Sequence, residues 1–326
     1  MSAQSLPLVS VVIPNYNYAR YLRQAIDSVL GQTYPKVEAI VIDDGSSDQS
    51  ESVLRTYGDR IRWFRQQRQG VSAARNRGIQ ESRGELIAFL DADDLWQPEK
   101  LAKQAASLQR PSVGMVCCGL QFISPDGQLL GTTVAGQSGQ VLKEIALLRW
   151  PGSPGLGSTA LIRKACVDRV GLFDVGLSTS ADWDFWRRLS CAFETEMVRE
   201  PLVLYRLHRT SMHCNVDVFE HDMLRAFSRA FADPEAAAIH PLRRQCYGNL
   251  YVMLSGSYLH AGRWARSLHY AMRSILTWPP SAAYLAAFPV RRIRQRLRTR
   301  IGDPSAQIVL PRWAAASQSI NGRGES

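Results

Sequence analysis

The 326-residue chain is 45% hydrophobic and 21% charged, a balance that excludes a disordered or low-complexity protein and leaves room for one large domain with an appendage. Its net charge of +10 is lopsided. Residues 1–219 carry 24 basic and 23 acidic side chains, whereas residues 220–326 carry 15 basic ones, all arginine, against 6 acidic.

Leu8–Ile13 is a β-branched run ending at Pro14 and predicts a first strand. Apolar positions Tyr21, Leu22, Ala25, Ile26, Val29 and Leu30 have the spacing of one helical face, with Gly31 as its C-cap. Val37–Ile42 predicts a second strand, closed by Asp43-Asp44-Gly45-Ser46-Ser47-Asp48, with a helix starting near Asp48 or Ser50. Arg60–Phe64 predicts a third strand, Val71–Ser82 a helix introduced by Gly70, and Leu86–Leu90 a fourth strand. This alternation implies a doubly wound, mainly parallel α/β sheet. Beyond residue 111 come strands Val113–Phe122 and Leu129–Val134 around the turn Pro125-Asp126-Gly127, a Pro/Gly loop Gly152–Gly157, and a strand Ser158–Ile162. Helix Trp183–Ala192 and a last strand Leu202–Tyr205 follow. From Asp217 only helices are expected: Phe219–Ala232, Pro241–Ala261, Trp264–Leu276 and Ala282–Ile301. The tail from Gly302 reads as disordered.

Leu86-Ile-Ala-Phe-Leu-Asp-Ala-Asp-Asp94 carries the most chemical information. A buried strand runs straight into Asp91, Asp93 and Asp94, at the edge where open α/β sheets bind ligands. Three carboxylates this close repel one another unless a cation or strong donors face them. An Asp-x-Asp pair suits a hard divalent ion that also holds phosphate oxygens; the competing reading is a solvated turn capping a helix that starts near Pro98.

Six segments in this order resemble the family 2 glycosyltransferases, which have the GT-A fold. They are Val9–Asn17 (VSVVIPNYN), Asp43–Asp48 (DDGSSD), Gly70–Gly78 (GVSAARNRG), Phe89–Asp94 (FLDADD), Ala181–Trp186 (ADWDFW) and Tyr205–His208 (YRLH). The resemblance implies a GT-A domain over residues 1–216, a helical arginine-rich extension over 217–301 and a tail over 302–326. It implies that Pro14 and Tyr16 pack on a nucleotide base, which Asp44 hydrogen-bonds while Asp43 braces the loop; the competing, weaker reading is that Tyr16 packs under that loop. Arg75 would meet the diphosphate bidentately, and Asn76 is read as structural. Asp93 becomes the first metal ligand, Asp91 a contact to ribose or the metal shell, and Asp94 either a second ligand or support for the next helix. The implied cofactor is Mg²⁺ or Mn²⁺ and the implied partner a nucleotide-sugar donor. Asp182 takes the position of the catalytic base, or else caps the helix at Trp183; inversion at the anomeric carbon follows from a single base. Ala181 stands where family members usually carry glutamate, which leaves a catalytically impaired sugar-nucleotide-binding or scaffold protein as the alternative. Asp184 is read as structural, Trp183 or Trp186 as lining the acceptor site or packing, and His208 as approaching the diphosphate or metal. His213 is not read as a second metal ligand, because Arg206 and Arg209 surround it.

Two other classes fit poorly. A nucleotidyltransferase wants a Gly-rich phosphate loop after the first strand, and a Rossmann oxidoreductase a Gly-x-Gly-x-x-Gly; neither is present. No signal peptide or membrane-spanning run is visible, and six cysteines without metal or disulfide spacing suit a reducing cytosol. The stretch Pro289–Ile301 places Val290, Ile293, Leu297 and Ile301 near one helical face, with arginines elsewhere. It reads as a contact with an anionic membrane surface, beside a packing or solubilising role. Nucleic-acid binding lacks an aromatic–basic reader motif. The expected setting is cytoplasmic, peripheral at the inner face of the membrane, with a glycan or lipid-linked acceptor in polysaccharide assembly.

Overall fold

The computed structural model describes residues 6–149, 157–208 and 215–287. The expected helix and tail beyond residue 287, His213 and most of the Gly152–Gly157 loop lie outside the described residues.

Strands β1 (Val9–Asn15), β2 (Val37–Asp43), β3 (Arg62–Arg65) and β4 (Leu86–Phe89) pair in parallel in the order β3-β2-β1-β4. Helices α1 (Ala19–Leu30), α2 (Ser50–Arg55) and α3 (Val71–Glu81) are the crossovers. The second half of the sheet is mixed. After β5 (Leu95–Trp96) and α4 (Lys100–Ser107) come β6 (Val113–Ile123), β7 (Leu129–Thr133), α5 (Leu142–Ala146), β8 (Leu161–Arg163), α6 (Lys164–Val170), α7 (Ala181–Ala192) and β9 (Glu194–Arg206). There β8 pairs antiparallel to β4 and β6, β9 runs parallel to β6, and β5 runs antiparallel to β9.

Three elements differ from expectation for local reasons. Strand β1 continues through Pro14, because its pairing with β4 stops at Val12 and only the β2 ladder persists there. Ser158 belongs to a 3₁₀ turn, Gly157–Thr159, and the strand begins at Leu161. Strand β9 starts eight residues before Leu202; Glu194, Glu196, Arg199 and Glu200 hide its first half from a hydrophobicity pattern. Gly31 closes α1 with φ −86°, so its C-cap needs no left-handed backbone.

Two apolar layers sandwich the sheet, one under α1 built from Val9, Val11, Leu22 and Ile26, the other under α3 and α7 built from Val12, Phe89, Ile162 and Phe185. Gly78 lets α3 lie directly on β1, since a Cβ there would fall 2.1 Å from Val12 Cγ1. Of the C-terminal helices, α8 (Val216–Ala230) precedes a 3₁₀ segment at Pro234–Leu242, and α9 (Arg243–His260), α10 (Trp264–Thr277) and α11 (Ser281–Ala286) follow it. Helices α8, α9 and α10 share a third core with α5, in which Phe227, Leu250 and Tyr258 are fully buried and Trp183 of α7 packs from the side.

Candidate active site

The C-terminal ends of β1, β2 and β4 open on one edge. There Asn15 Nδ2 donates to Asp43 Oδ1 at 2.9 Å and to Ser46 Oγ at 3.1 Å. Asp43 is fully buried and braces the loop, as expected. Asp44 does the same on its other side: Oδ1 accepts from Gln66 Nε2 (2.8 Å) and Gln69 N (2.9 Å), and Oδ2 from Gly70 N (2.8 Å). Pro14 is buried beneath this loop, and the half-buried Tyr16 carries the Arg68 guanidinium 4.2 Å over its ring.

Arg75, one turn into α3, is almost wholly buried. Its Nη1 donates to Asp182 Oδ1 at 2.6 Å and its Nη2 to Asp91 Oδ1 at 2.8 Å. The expected bidentate grip on a diphosphate is therefore not the arrangement of this structure. Two carboxylates beside a buried cation have drawn both ends of its fork, leaving Nε without a partner. Burial works against its charge, but Asp182 and Asp91 more than offset this, and its pKa rises. Asn76 clamps Phe173 through both backbone groups, confirming its structural role.

The acidic segment after β4 divides its labour. Asp93 Oδ2 lies 2.8 Å from His208 Nε2, and that imidazole stacks on Tyr21, ring centroids 5.6 Å apart. Asp94 turns inward with no exposed surface: Oδ2 accepts from Ser158 Oγ at 2.6 Å and Oδ1 from Arg206 N at 3.0 Å. It does not support the next helix, whose N-cap is Glu99. Burial, then the charges of Asp93 and Asp91, pushes the Asp94 carboxyl well above its ordinary range. Asp91 is pushed up to about 6 by burial, with Asp182 and Asp93 adding to the rise against the pull of Arg75.

Asp182 lies inside the first turn of α7, whose N-cap is Ser180, so it is not the helix cap. Its Oδ2 accepts from Gly157 N at 3.2 Å. Ala181 is fully buried in the core under α7, so the usual glutamate position is filled by apolar packing. Both tryptophans pack: Trp186 is buried, and Trp183 donates to Ile145 O and stacks on Phe227 with centroids 4.6 Å apart. Asp184 pairs with Arg187 and Arg188, as a structural residue would.

Several residues at the site were given no role from the sequence, Arg206 among them although it lies within the Tyr205–His208 segment. Tyr18 lies beside His208, its hydroxyl pKa raised by burial and then by Asp93. Arg206 donates from Nε to Asp93 O at 2.9 Å. Ser158 also accepts from Asp91 N at 3.1 Å, so one hydroxyl joins two of the three aspartates. Asp222 of α8 accepts from the backbone N–H and hydroxyl of both Ser178 and Thr179, fixing the approach to α7.

Does this donor set fit a divalent ion? Among the described residues no group of three or more His, Cys, Asp or Glu is disposed to hold a metal by itself. Asp91 and Asp93, with His208 behind Asp93, nevertheless form a partly exposed oxygen-rich pair whose mutual repulsion a cation would relieve. That fits Mg²⁺ or Mn²⁺ shared with substrate phosphates, a common arrangement for an ion that keeps only one or two protein carboxylates.

The mixed α/β sheet, with an acidic cluster beyond β4 and an aspartate on a facing helix, has the GT-A fold. Residues 10–171 match the family described as Glycosyl transferase family 2, and the chain belongs to it. The match takes in Arg75 and the acidic segment and stops short of Asp182. An uncharacterized glycosyltransferase of Rickettsia typhi is 36% identical over 205 residues, 62% of this chain and 64% of the relative's length. A putative teichuronic acid biosynthesis glycosyltransferase, TuaG of Bacillus subtilis, is 35% identical over 125 residues, covering 37% of this chain and 50% of that one. The fold is that of the mannosyltransferase PcManGT from Pyrobaculum calidifontis, solved with GDP-Man and Mn²⁺ (TM-score 0.62, 19% identity, 97% of this chain and 88% of that one). It is also that of S. aureus TarS 1–349 with UDP-GlcNAc (TM-score 0.62, 17% identity, 96% and 91%).

Proposed function

We propose that the chain is an inverting, metal-dependent glycosyltransferase that moves a sugar from a nucleotide-diphosphate donor to a glycan or lipid-linked acceptor. The observation that carries this reading is the bridge through Arg75, which joins Asp91 of the acidic segment to Asp182 on α7. Pro14, Tyr16 and Asp44 form the floor for the base, and Asp91, Asp93 and His208 face the diphosphate. Asp91 and Asp93 would hold the Mg²⁺ or Mn²⁺, which supplies Lewis-acid assistance to the departing diphosphate. Asp94, locked by Ser158 and Arg206, keeps the segment in place and is the least suited of the three to reach the ion.

On the acceptor side, Asp182 takes the proton of the attacking hydroxyl. The acceptor oxygen bonds to the anomeric carbon as the bond from that carbon to the diphosphate oxygen breaks, and the nucleoside diphosphate leaves. Arg75 and Gly157 N hold Asp182 in orientation in the first turn of α7. One base on one face gives inversion. The named relative in teichuronic acid biosynthesis supports a role in cell-surface polysaccharide assembly. In that role the enzyme acts at the inner face of the membrane.

Calorimetric titration with GDP-mannose, UDP-N-acetylglucosamine and a dTDP-sugar tests the donor half. One donor should bind in Mn²⁺ or Mg²⁺ and lose affinity in EDTA or on Asp93→Asn. No binding to any member of such a panel would sink the assignment. Binding without turnover on acceptor extracts would favour the impaired, sugar-nucleotide-binding alternative that the buried Ala181 suggests.

A further inference from the structure

Helix α10 is packed inside out. It buries Ser267, Tyr270 and Ser274 against α9, where Ser255 Oγ donates to Ser267 O at 2.9 Å and Ser274 Oγ to Gly248 O at 2.8 Å. Its large apolar side chains point the other way. Trp264, Leu268, Met272 and Leu276, at four-residue spacing, are 69%, 63%, 56% and 76% exposed, and Ile275 lies between them on the same face. The row runs about 18 Å along the helix axis. A water-facing helix normally carries the opposite pattern, and a contiguous apolar patch of this kind marks an interaction surface.

The surrounding charge selects the occupant. From Ala236 to Gly302 the sequence contains no aspartate or glutamate and eleven arginines. Arg263, Arg266 and Arg273 are exposed beside the stripe. A second copy docked face to face would bring these arginines against their equivalents, the nearby acids Asp217 and Glu220 being already paired with Arg263 and Arg266 of the same chain. The chain's own segment 289–301 would add the six arginines of residues 291–300. Nucleic acid would meet the arginines but not the aliphatic row. We propose that the α10 face, with its flanking arginines, docks on an anionic lipid surface. The apolar row enters the boundary between headgroups and acyl chains, and the arginines meet lipid phosphates. No helix among the described residues is long and apolar enough to cross a membrane, so this is contact in the interface plane. The proposal does not depend on the identity of donor or acceptor.

Co-sedimentation of the full chain with vesicles tests it. Vesicles of equal parts phosphatidylcholine and phosphatidylglycerol should retain the protein, phosphatidylcholine alone should not, and added salt should weaken the interaction. The triple variant Leu268→Glu, Met272→Glu, Leu276→Glu, and Met272→Glu alone as a milder change, alter only exposed positions and should leave the thermal melt in place. The triple variant should reduce vesicle binding about tenfold or more. Failure of the wild type to bind anionic vesicles, or unchanged binding by both variants, would overturn the proposal. So would retention of RNA in place of vesicles, or a dimer in light scattering that the same substitutions dissolve.

Discussion

Arg75 and Asp182 lie 107 positions apart in sequence and meet at 2.6 Å, with the second Nη of Arg75 on Asp91. One buried cation thus ties the base candidate to the donor-side carboxylates. Arg75→Ala removes that charge from between two carboxylates and should lower kcat/KM by about 10²-fold or more, the scale of losing one preorganised charge contact in a water-poor site. Arg75→Lys should recover only part of this, because an ammonium cannot fork to both partners. Steady-state kinetics of the three proteins decide the point; equal activity in all of them would remove Arg75 from the account.

Ser158 is the second tie. Its hydroxyl donates to the buried Asp94 and accepts from the Asp91 backbone. Ser158→Ala leaves that carboxyl with one partner fewer and should cost about 2 kcal/mol of stability. It should also weaken Mn²⁺-dependent donor binding, since the segment bearing Asp91 and Asp93 loosens. Chemical denaturation and calorimetry measure the two effects separately.

The helical extension reaches the site through Asp222. With four donors from Ser178 and Thr179 converging on one carboxylate oxygen, Asp222→Ala should destabilise the protein by about 3 kcal/mol. Because those residues lead into α7, kcat should fall more than the donor KM rises. An unchanged kcat would mean that the approach to α7 does not set the position of Asp182.

Lys100 gives a pH signature outside the site. It is fully buried against Trp96 and donates to Gln104, and burial pushes its pKa down from 10.5 to about 8. The unfolded chain keeps that proton up to about 10.5, so between the two values it binds more protons than the folded one. The lysine's contribution to stability therefore rises with pH across this window and is least favourable below about pH 8. Relative to Lys100→Met, the wild type should gain about 3 kcal/mol as pH is raised through it. A pH-independent difference in urea midpoints would show that Lys100 titrates normally.

How much of this was legible in sequence varied with the physics of each residue. The parallel half of the sheet announced itself because β1, β2 and β4 are buried runs bounded by turn residues, and Asp91 and Asp93 stood out because they end such a run. Asp182 was visible only through its motif, and its place inside α7 was missed because Ser180 and Asp182 are both good N-cap residue types and the sequence does not say which one starts the helix. The role of Asp94 was hidden, since nothing near it in sequence points to Ser158, 64 positions away. The fork of Arg75 was likewise undetermined: a guanidinium suits a diphosphate or two carboxylates equally, and only the fold brings Asp182 beside it. The first half of β9 went unread because it carries charges along a paired strand, whereas α10 was legible as a helix over Trp264–Leu276 and only the outward turn of its apolar row was hidden.

The central claim is that Asp182 is the base of a sugar transfer whose donor binds at the acidic segment. The most direct test is turnover of the donor identified by calorimetry, with its acceptor, by wild type and by Asp182→Asn at matched donor occupancy. The account predicts that the variant binds the donor with Mn²⁺ at near wild-type affinity and loses about 10³-fold or more in kcat. Wild-type turnover by Asp182→Asn would contradict it and move the base to another residue.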